Sequence, residues 1–264
     1  ATRQPGSNFK PFIYAAAMEN GFTAASIIND APVVFEDAAL EDTWRPENDG
    51  GKFYGPTRLR WALTKSRNLV SIRLLQQLGI RTAIDYAGRF GFNTSELAPD
   101  LSLALGTHAI TPQQLVTAYA SLANGGYKVD AWLIDRVEDF HRREIFKANP
   151  ATVCRSCEKT NAEPPTTQES ELSMDEILAA AEQEQLPQAE LIMDPRAAFL
   201  VDSILRDVIT KGTGTRARVL RRTDIAGKTG TTNGPADAWF SGYNPEIVTT
   251  AWLGFDQNLM LGKN

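Results

Sequence analysis

The amino-acid sequence predicts an α+β fold, a helical subdomain with an antiparallel sheet. Three observations predict it. Apolar residues recur at helical spacing in successive segments between Phe9 and Leu122, Thr111-Pro112 and Asp194-Pro195 mark helix starts, and three strand-like segments follow Ile225. Helices followed by sequence-adjacent strands read as two layers sharing one core. At 264 residues with 42% hydrophobic and 22% charged side chains, the chain can bury a sizeable core in one large domain or two small ones. A net charge of −5 offers no basic footprint for nucleic acid. No apolar run is long enough to span a membrane and no signal-peptide pattern opens the sequence, so an anchor or export signal is expected outside it.

The first helix is predicted from Phe9, Phe12, Ile13, Ala16 and Ala17 to a stop near Gly21, with Pro11 in its first turn. Ser7 and Lys10 stand three residues apart at its start, hence on one face. A serine nucleophile needs a base nearby, and a helix N-terminus favours a developing oxyanion. The same spacing recurs at Ser156 and Lys159, where no apolar helix follows.

Residues 24–53 are loop-rich, with a short strand at Val33-Val34-Phe35. A helix after Gly55-Pro56-Thr57 buries Leu59, Ala62 and Leu63 and stops at Lys65-Ser66-Arg67-Asn68. The next helix carries Val70, Leu74 and Leu78, with Gly79 at its C′ position, and a third runs from Arg81 to Phe90. The polar break at Ser66 and Asn68 projects side chains. Thr111-Pro112-Gln113-Gln114 spells a capping box before Leu115, Val116, Tyr119 and Leu122, and Asn124-Gly125-Gly126 ends that helix.

One or two strands are expected between Tyr127 and Phe140. Residues 141–190 turn polar and read as an insertion with one helix-like stretch from Met174 to Glu184. It holds the chain's two cysteines, Cys154 and Cys157, which read as a local disulfide or as two unremarkable thiols. A structural zinc site would need two more ligands, and the two histidines, His108 and His141, are not placed to supply them. Asp194-Pro195 starts a helix with Phe199, Leu200, Ile204 and Val208 inward, ending at Lys211-Gly212. The strands are Ile225 to Thr231, Ala238 to Tyr243 and Ile247 to Phe255, with Asn244-Pro245-Glu246 joining the last two as a hairpin.

Ser-x-x-Lys at Ser7, Ser-x-Asn at Ser66 and Lys-Thr-Gly at Lys228 form the ordered signature of penicillin-binding proteins and serine β-lactamases. The chain resembles the transpeptidase domain of class A penicillin-binding proteins, most nearly the Gram-negative 1a type, over nearly its whole length. The surroundings that carry the resemblance are Arg3 to Pro11, Ala104-Leu105-Gly106 before Thr111-Pro112, Ala123 to Gly126 and Ala236 to Tyr243.

The resemblance implies the fold of that family, lacking its usual first strands and last helix, because only six residues precede Ser7 and the chain stops soon after Phe255. It therefore implies one transpeptidase domain over residues 1–264, incomplete at both ends, with an exposed sheet edge and an uncovered face. It implies Ser7 as nucleophile, Lys10 as its base and Ser66 as proton relay. Asn68 would hold the substrate's peptide amide, and Lys228, Thr229, Gly230 and Thr231 would receive a carboxylate-ended peptide, with Gly230 keeping the strand edge bare. The Ser7 and Thr231 N–H groups would form the oxyanion hole.

The implied reaction cross-links peptidoglycan stem peptides through a serine acyl-enzyme, with loss of a terminal D-alanine, and is blocked by β-lactams. It needs no metal or organic cofactor. The implied parent also carries a glycosyltransferase domain, sits on the periplasmic side of a bacterial inner membrane, and meets other cell-wall synthesis proteins. A D,D-carboxypeptidase carries the same motifs. A serine β-lactamase is less well matched, given the polar insertion and Arg67 between Ser66 and Asn68, and a β-lactam sensor would need signalling segments.

Overall fold

Helix α1 (Lys10–Glu19) is buried on every side: eight of its ten residues, Lys10 to Ala17, are out of solvent. The spacing suggested an amphipathic helix, but Ala15, Ala16 and Ala17 let neighbouring elements approach where a longer side chain would hold them off. The computed structural model describes residues 2–37, 42–153, 187–232, 236–257 and 259–262. Cys154, Ser156, Cys157 and the Met174–Glu184 stretch lie outside the described residues.

The chain forms two compact units, Ala1–Gly126 with Ile192–Asn264, and Tyr127–Leu191. In the first, α1 is surrounded by α2 (Leu59–Thr64), α3 (Asn68–Leu78), α4 (Ile80–Arg89) and α6 (Pro195–Lys211). Phe12 of α1 packs edge-on against Phe90, Phe92 and Tyr119 and tilted against Phe9, with ring centres 5.0 to 5.7 Å apart. Segment Gly55–Arg58 leads into α2 as expected and itself forms strand β4, paired antiparallel with β1 (Ile27–Asp30). Pro56 is tolerated because, among the described residues, β4 pairs on one side only. The short pair β2 (Phe35–Asp37) and β3 (Asp42–Trp44) lies between them in sequence, its first strand two residues later than expected.

Helix α5 (Pro112–Ala123) starts with the capping box spelled by the sequence: Thr111 Oγ1 accepts the Gln114 N–H at 3.0 Å and Gln114 Oε1 accepts the Thr111 N–H at 2.9 Å. Thr111→Ala is expected to lower stability by about 1 kcal/mol, read as a lower urea midpoint at unchanged slope. In α6 the Asp194 side chain caps the Arg196 N–H, and the inward face is Ala197, Ala198, Val201, Ile204, Leu205 and Val208. Phe199, expected inside, is 71% exposed, because Ala198 and Val201 take the inward stripe.

The sheet of this unit has the order β7-β8-β9, from Ala226–Thr231, Asp237–Tyr243 and Val248–Gly254. Helices α5 and α6 pack on it, while Thr249, Ala251 and Leu253 of β9 point to solvent. In the second unit, β5 (Arg136–Glu138) and β6 (Glu144–Lys147) form an antiparallel hairpin with a register shift at Val137 and Glu138. All seven of its strand residues are exposed.

Candidate active site

Five of the eight residues singled out in the sequence line one cleft of about 910 Å³: Ser7, Ser66, Asn68, Thr229 and Thr231. The other three, Lys10, Lys228 and Gly230, are buried behind its wall. Ser7 sits in the tight turn Gly6–Phe9 that runs straight into α1, with Pro11 in the first turn of that helix. Ser66 lies between α2 and α3 with φ at +58°, a left-handed conformation unusual for a side-chain-bearing residue and held by the backbone bond from Ser66 N–H to the Leu63 carbonyl.

The two lysines converge on Ser66. Lys10 Nζ donates to the Ser66 carbonyl at 2.9 Å and to Asn68 Oδ1 at 2.6 Å, with Ser66 Oγ 3.4 Å away. Lys228 Nζ donates to Ser66 Oγ and to the Thr229 carbonyl, both at 2.9 Å. Both side chains are fully buried, and no carboxylate pairs with either among the described residues. Burial drives the Lys10 pKa well below the ordinary lysine value, and the positive charge of Lys228 pushes it the same way. Burial lowers Lys228 to about 7. Lys228 is thereby equipped to take up and release a proton near neutral pH, and Lys10 holds its neutral form more readily than an exposed lysine.

Strand β7 forms one border of the site. Thr232 N–H bonds the Asp237 carbonyl, so alternation along the ladder turns the Thr229 and Thr231 N–H groups to the edge away from β8. Among the described residues that edge has no strand partner, and a peptide can add to it. Thr229 Oγ1 shares a 2.6 Å hydrogen bond with Thr213 Oγ1.

Gly230 is glycine for a different reason than a bare edge. A Cβ there would collide with the Pro5 carbonyl and meet Asn8 at 3.2 Å, so the missing side chain lets the serine turn lie against β7. Gly106, with φ at +67°, does the same from the other side, where a Cβ would overlap the Gly6 carbonyl; Gly6 N–H bonds the Gly106 carbonyl at 3.1 Å. The serine turn is clamped between backbones.

Sequence reasoning missed the opposite wall, Trp44 to Gly51, and the cleft residues Lys65, Thr213 and Arg216. Glu47 and Asn48 follow Trp44-Arg45-Pro46, which reads only as a breaker, and Thr213 sits in Gly212-Thr213-Gly214. No periodicity marks these positions, so only their place in the cleft reveals them. Asn68, expected to face substrate, is engaged by the protein on both atoms: Oδ1 by Lys10, and Nδ2 by the Glu47 carbonyl at 2.8 Å. Each atom keeps a second bonding position.

Residues 1–253 match the family profile described as penicillin binding protein transpeptidase domain. Penicillin-binding protein 1A of Pseudomonas aeruginosa is 50% identical over 276 residues, an alignment that takes in 100% of this chain and 34% of that protein. The crystal structure of penicillin-binding protein 1A from Haemophilus influenzae superimposes with a TM-score of 0.85 at 35% identity, over 99% of this chain and 39% of that one. Penicillin-binding protein A of Mycobacterium tuberculosis, as an imipenem acyl-enzyme complex, shares the fold at a TM-score of 0.72 and 18% identity, over 96% and 55% of the two chains. The chain thus spans about a third of the length of the Pseudomonas relative. With the profile matching nearly from end to end, and the serine turn and the strand edge in one cleft backed by two buried lysines, the chain belongs to the transpeptidase domain family of penicillin-binding proteins.

Proposed function

We propose that this domain cross-links peptidoglycan by transferring a D-alanyl-D-alanine-ended stem peptide through an acyl-enzyme on Ser7. The single observation that carries the roles is the Ser66 hydroxyl, set between two buried, carboxylate-free lysines beside the free edge of β7. As a neutral amine, Lys10 gives its two N–H bonds to the Ser66 carbonyl and Asn68 Oδ1, and its lone pair, with only the longer 3.4 Å contact to Ser66 Oγ, is the position able to accept a proton. That lone pair takes the Ser7 proton as Oγ attacks the penultimate D-alanine carbonyl.

The peptide lies along the β7 edge, where the Thr231 N–H, with that of Ser7, holds the oxyanion. Lys228, Thr229 and Thr231 receive the terminal carboxylate. The proton returns through Ser66 to the departing D-alanine amine. An amine of a second stem then attacks the acyl-enzyme, gives up its proton along the same route and releases Ser7. Water in its place would give carboxypeptidase products. A β-lactam, entering as the donor does, leaves Ser7 acylated.

The domain would act on the outer face of a bacterial inner membrane, where its substrate lies, within a longer protein that carries the anchor and a glycosyltransferase domain. Among the described residues no helix is long and apolar enough to cross a membrane.

Labelled penicillin followed by peptide mass spectrometry is expected to place the adduct on Ser7 and to give none with Ser7→Ala. An adduct on another serine refutes the assignment. Donor stem peptide supplied with an acceptor amine is expected to give cross-linked product, and hydrolysis alone in both conditions refutes the transpeptidase reading in favour of a carboxypeptidase.

A further inference from the structure

Asn48 belongs to the cleft-wall loop, yet it is buried to 4% exposure and uses both ends of its amide. Its Nδ2 donates to Asp30 Oδ1 at 2.6 Å and to the Lys52 carbonyl at 2.9 Å. Its Oδ1 accepts the Asn68 N–H at 2.8 Å, with the Leu69 N–H at 3.4 Å. These are the first N–H groups of α3, which have no acceptor within the helix, and the residue before them, Arg67, provides no side-chain cap. A residue twenty positions upstream therefore caps this helix. The neighbouring Glu47 carbonyl accepts Asn68 Nδ2. Because a carbonyl can only accept, it decides which way round the Asn68 amide lies and turns Oδ1 toward Lys10 Nζ.

We infer that Asn48 is a positioning residue for acyl transfer: with the Glu47 carbonyl it fixes the Asn68 amide, and through Asn68 it fixes the direction of the Lys10 amine. The inference rests on Lys10 being the base, as proposed above. Without the cap, Asn68 is free to turn, and an Nδ2 group facing Lys10 would be a donor against a donor. Lys10 would then lose the acceptor that holds one of its two N–H bonds, and its lone pair would have no fixed direction.

The charged and titratable groups around this linkage are Lys228 from β7 beside Lys10, Asp30 from β1 beneath Asn48, and Arg67, whose Nε is 3.9 Å from Asp30 Oδ2 and whose guanidinium stacks on Tyr54.

The test is penicillin acylation by the protein in its natural length, measured across pH and corrected for the folded fraction. Asn48→Ala is expected to slow acylation between about 10- and 100-fold, with the pH midpoint moved upward as Lys10 gains access to water. Asn48→Asp, which sets a second carboxylate against Asp30, is expected to move the midpoint upward further. The double variant Asn48→Asp with Asp30→Asn again places one donor against one carboxylate and leaves the net charge unchanged, losing the Lys52 carbonyl bond and the Arg67–Asp30 charge pair, and is expected to bring the midpoint back toward the native value.

A lowered melting temperature with an unchanged midpoint and rate in Asn48→Ala would mean a merely structural cap and would overturn the inference. So would a double variant that stays shifted or does not fold. Lys10→Met is run beside them: if it still acylates at the native rate, the proposed base is wrong; if it is inactive while the Asn48 variants keep the native profile, only the positioning role is wrong.

Discussion

Lys10→Met should lower the rate of penicillin acylation at neutral pH by about a thousandfold, within the range that a positioned general base contributes. Methionine keeps the length of the side chain and its apolar contacts in a site where lysine is fully buried. It offers no lone pair of useful basicity, and it leaves the Ser66 carbonyl and Asn68 Oδ1 without their donor. Circular dichroism separates lost chemistry from lost fold. Acylation within tenfold of native by a folded variant would assign the base elsewhere, with Lys228 the next group to test.

The same two lysines set a pH signature. With Lys10 as the proposed base, acylation requires its neutral form and should fall as pH drops through the lowered Lys10 value. With Lys228 as the proposed carboxylate partner, recognition of the donor requires its charged form and should weaken as pH rises above about 7 in the free protein. A bell-shaped profile of acylation efficiency is expected, its alkaline limb lost in Lys228→Met. For stability the sign is opposite to that of a salt-bridged lysine. Between about 7 and the ordinary value of 10.5 the unfolded chain holds a proton that folded Lys228 lacks, so the fold gains stability as pH rises across that window.

Gly106→Ala should cost about 3 kcal/mol or more of stability and slow acylation by about a hundredfold. The added methyl would overlap the Gly6 carbonyl, which is backbone and cannot swing aside, so the serine turn itself must move relative to β7. Gly21→Ala is the control. Gly21 also has a positive φ, +90°, but nothing lies within 4 Å of its missing Cβ, so that change carries backbone strain alone. Equal losses in the two variants would show that conformation, and not the close approach, is what Gly106 supplies.

Much of the architecture is legible without coordinates because it is local. Thr111, Pro112 and Gln114 contact one another across three positions, so the capping box is written in adjacent letters. The sheet segments and α6 likewise start and stop within a residue or two of their sequence signals. Strand β1 and its pairing with β4 were not legible, because four residues containing Pro56 carry too little alternation to be seen. Hydrophobicity alone places Phe199 in the core, whereas the inward face of α6 is decided by which side meets α2 and β7.

For the site, the sequence by itself determined the inventory: a serine and lysine at a helix start, a serine and asparagine at a helix break, and a lysine, threonine and glycine on a strand. Their spacing cannot say that Lys10 and Lys228 both reach Ser66, across 56 and 162 positions of chain. Tertiary structure alone decided that both lysines are buried without a carboxylate partner among the described residues, that Gly230 and Gly106 make room for the serine turn, and that Asn48 caps α3 from a distant loop. The physical reason is the range of the interactions. Helix caps and strand alternation act between near neighbours and leave a mark in the sequence, whereas desolvation, backbone approach and hydrogen bonds across the cleft depend on where the whole chain places its parts.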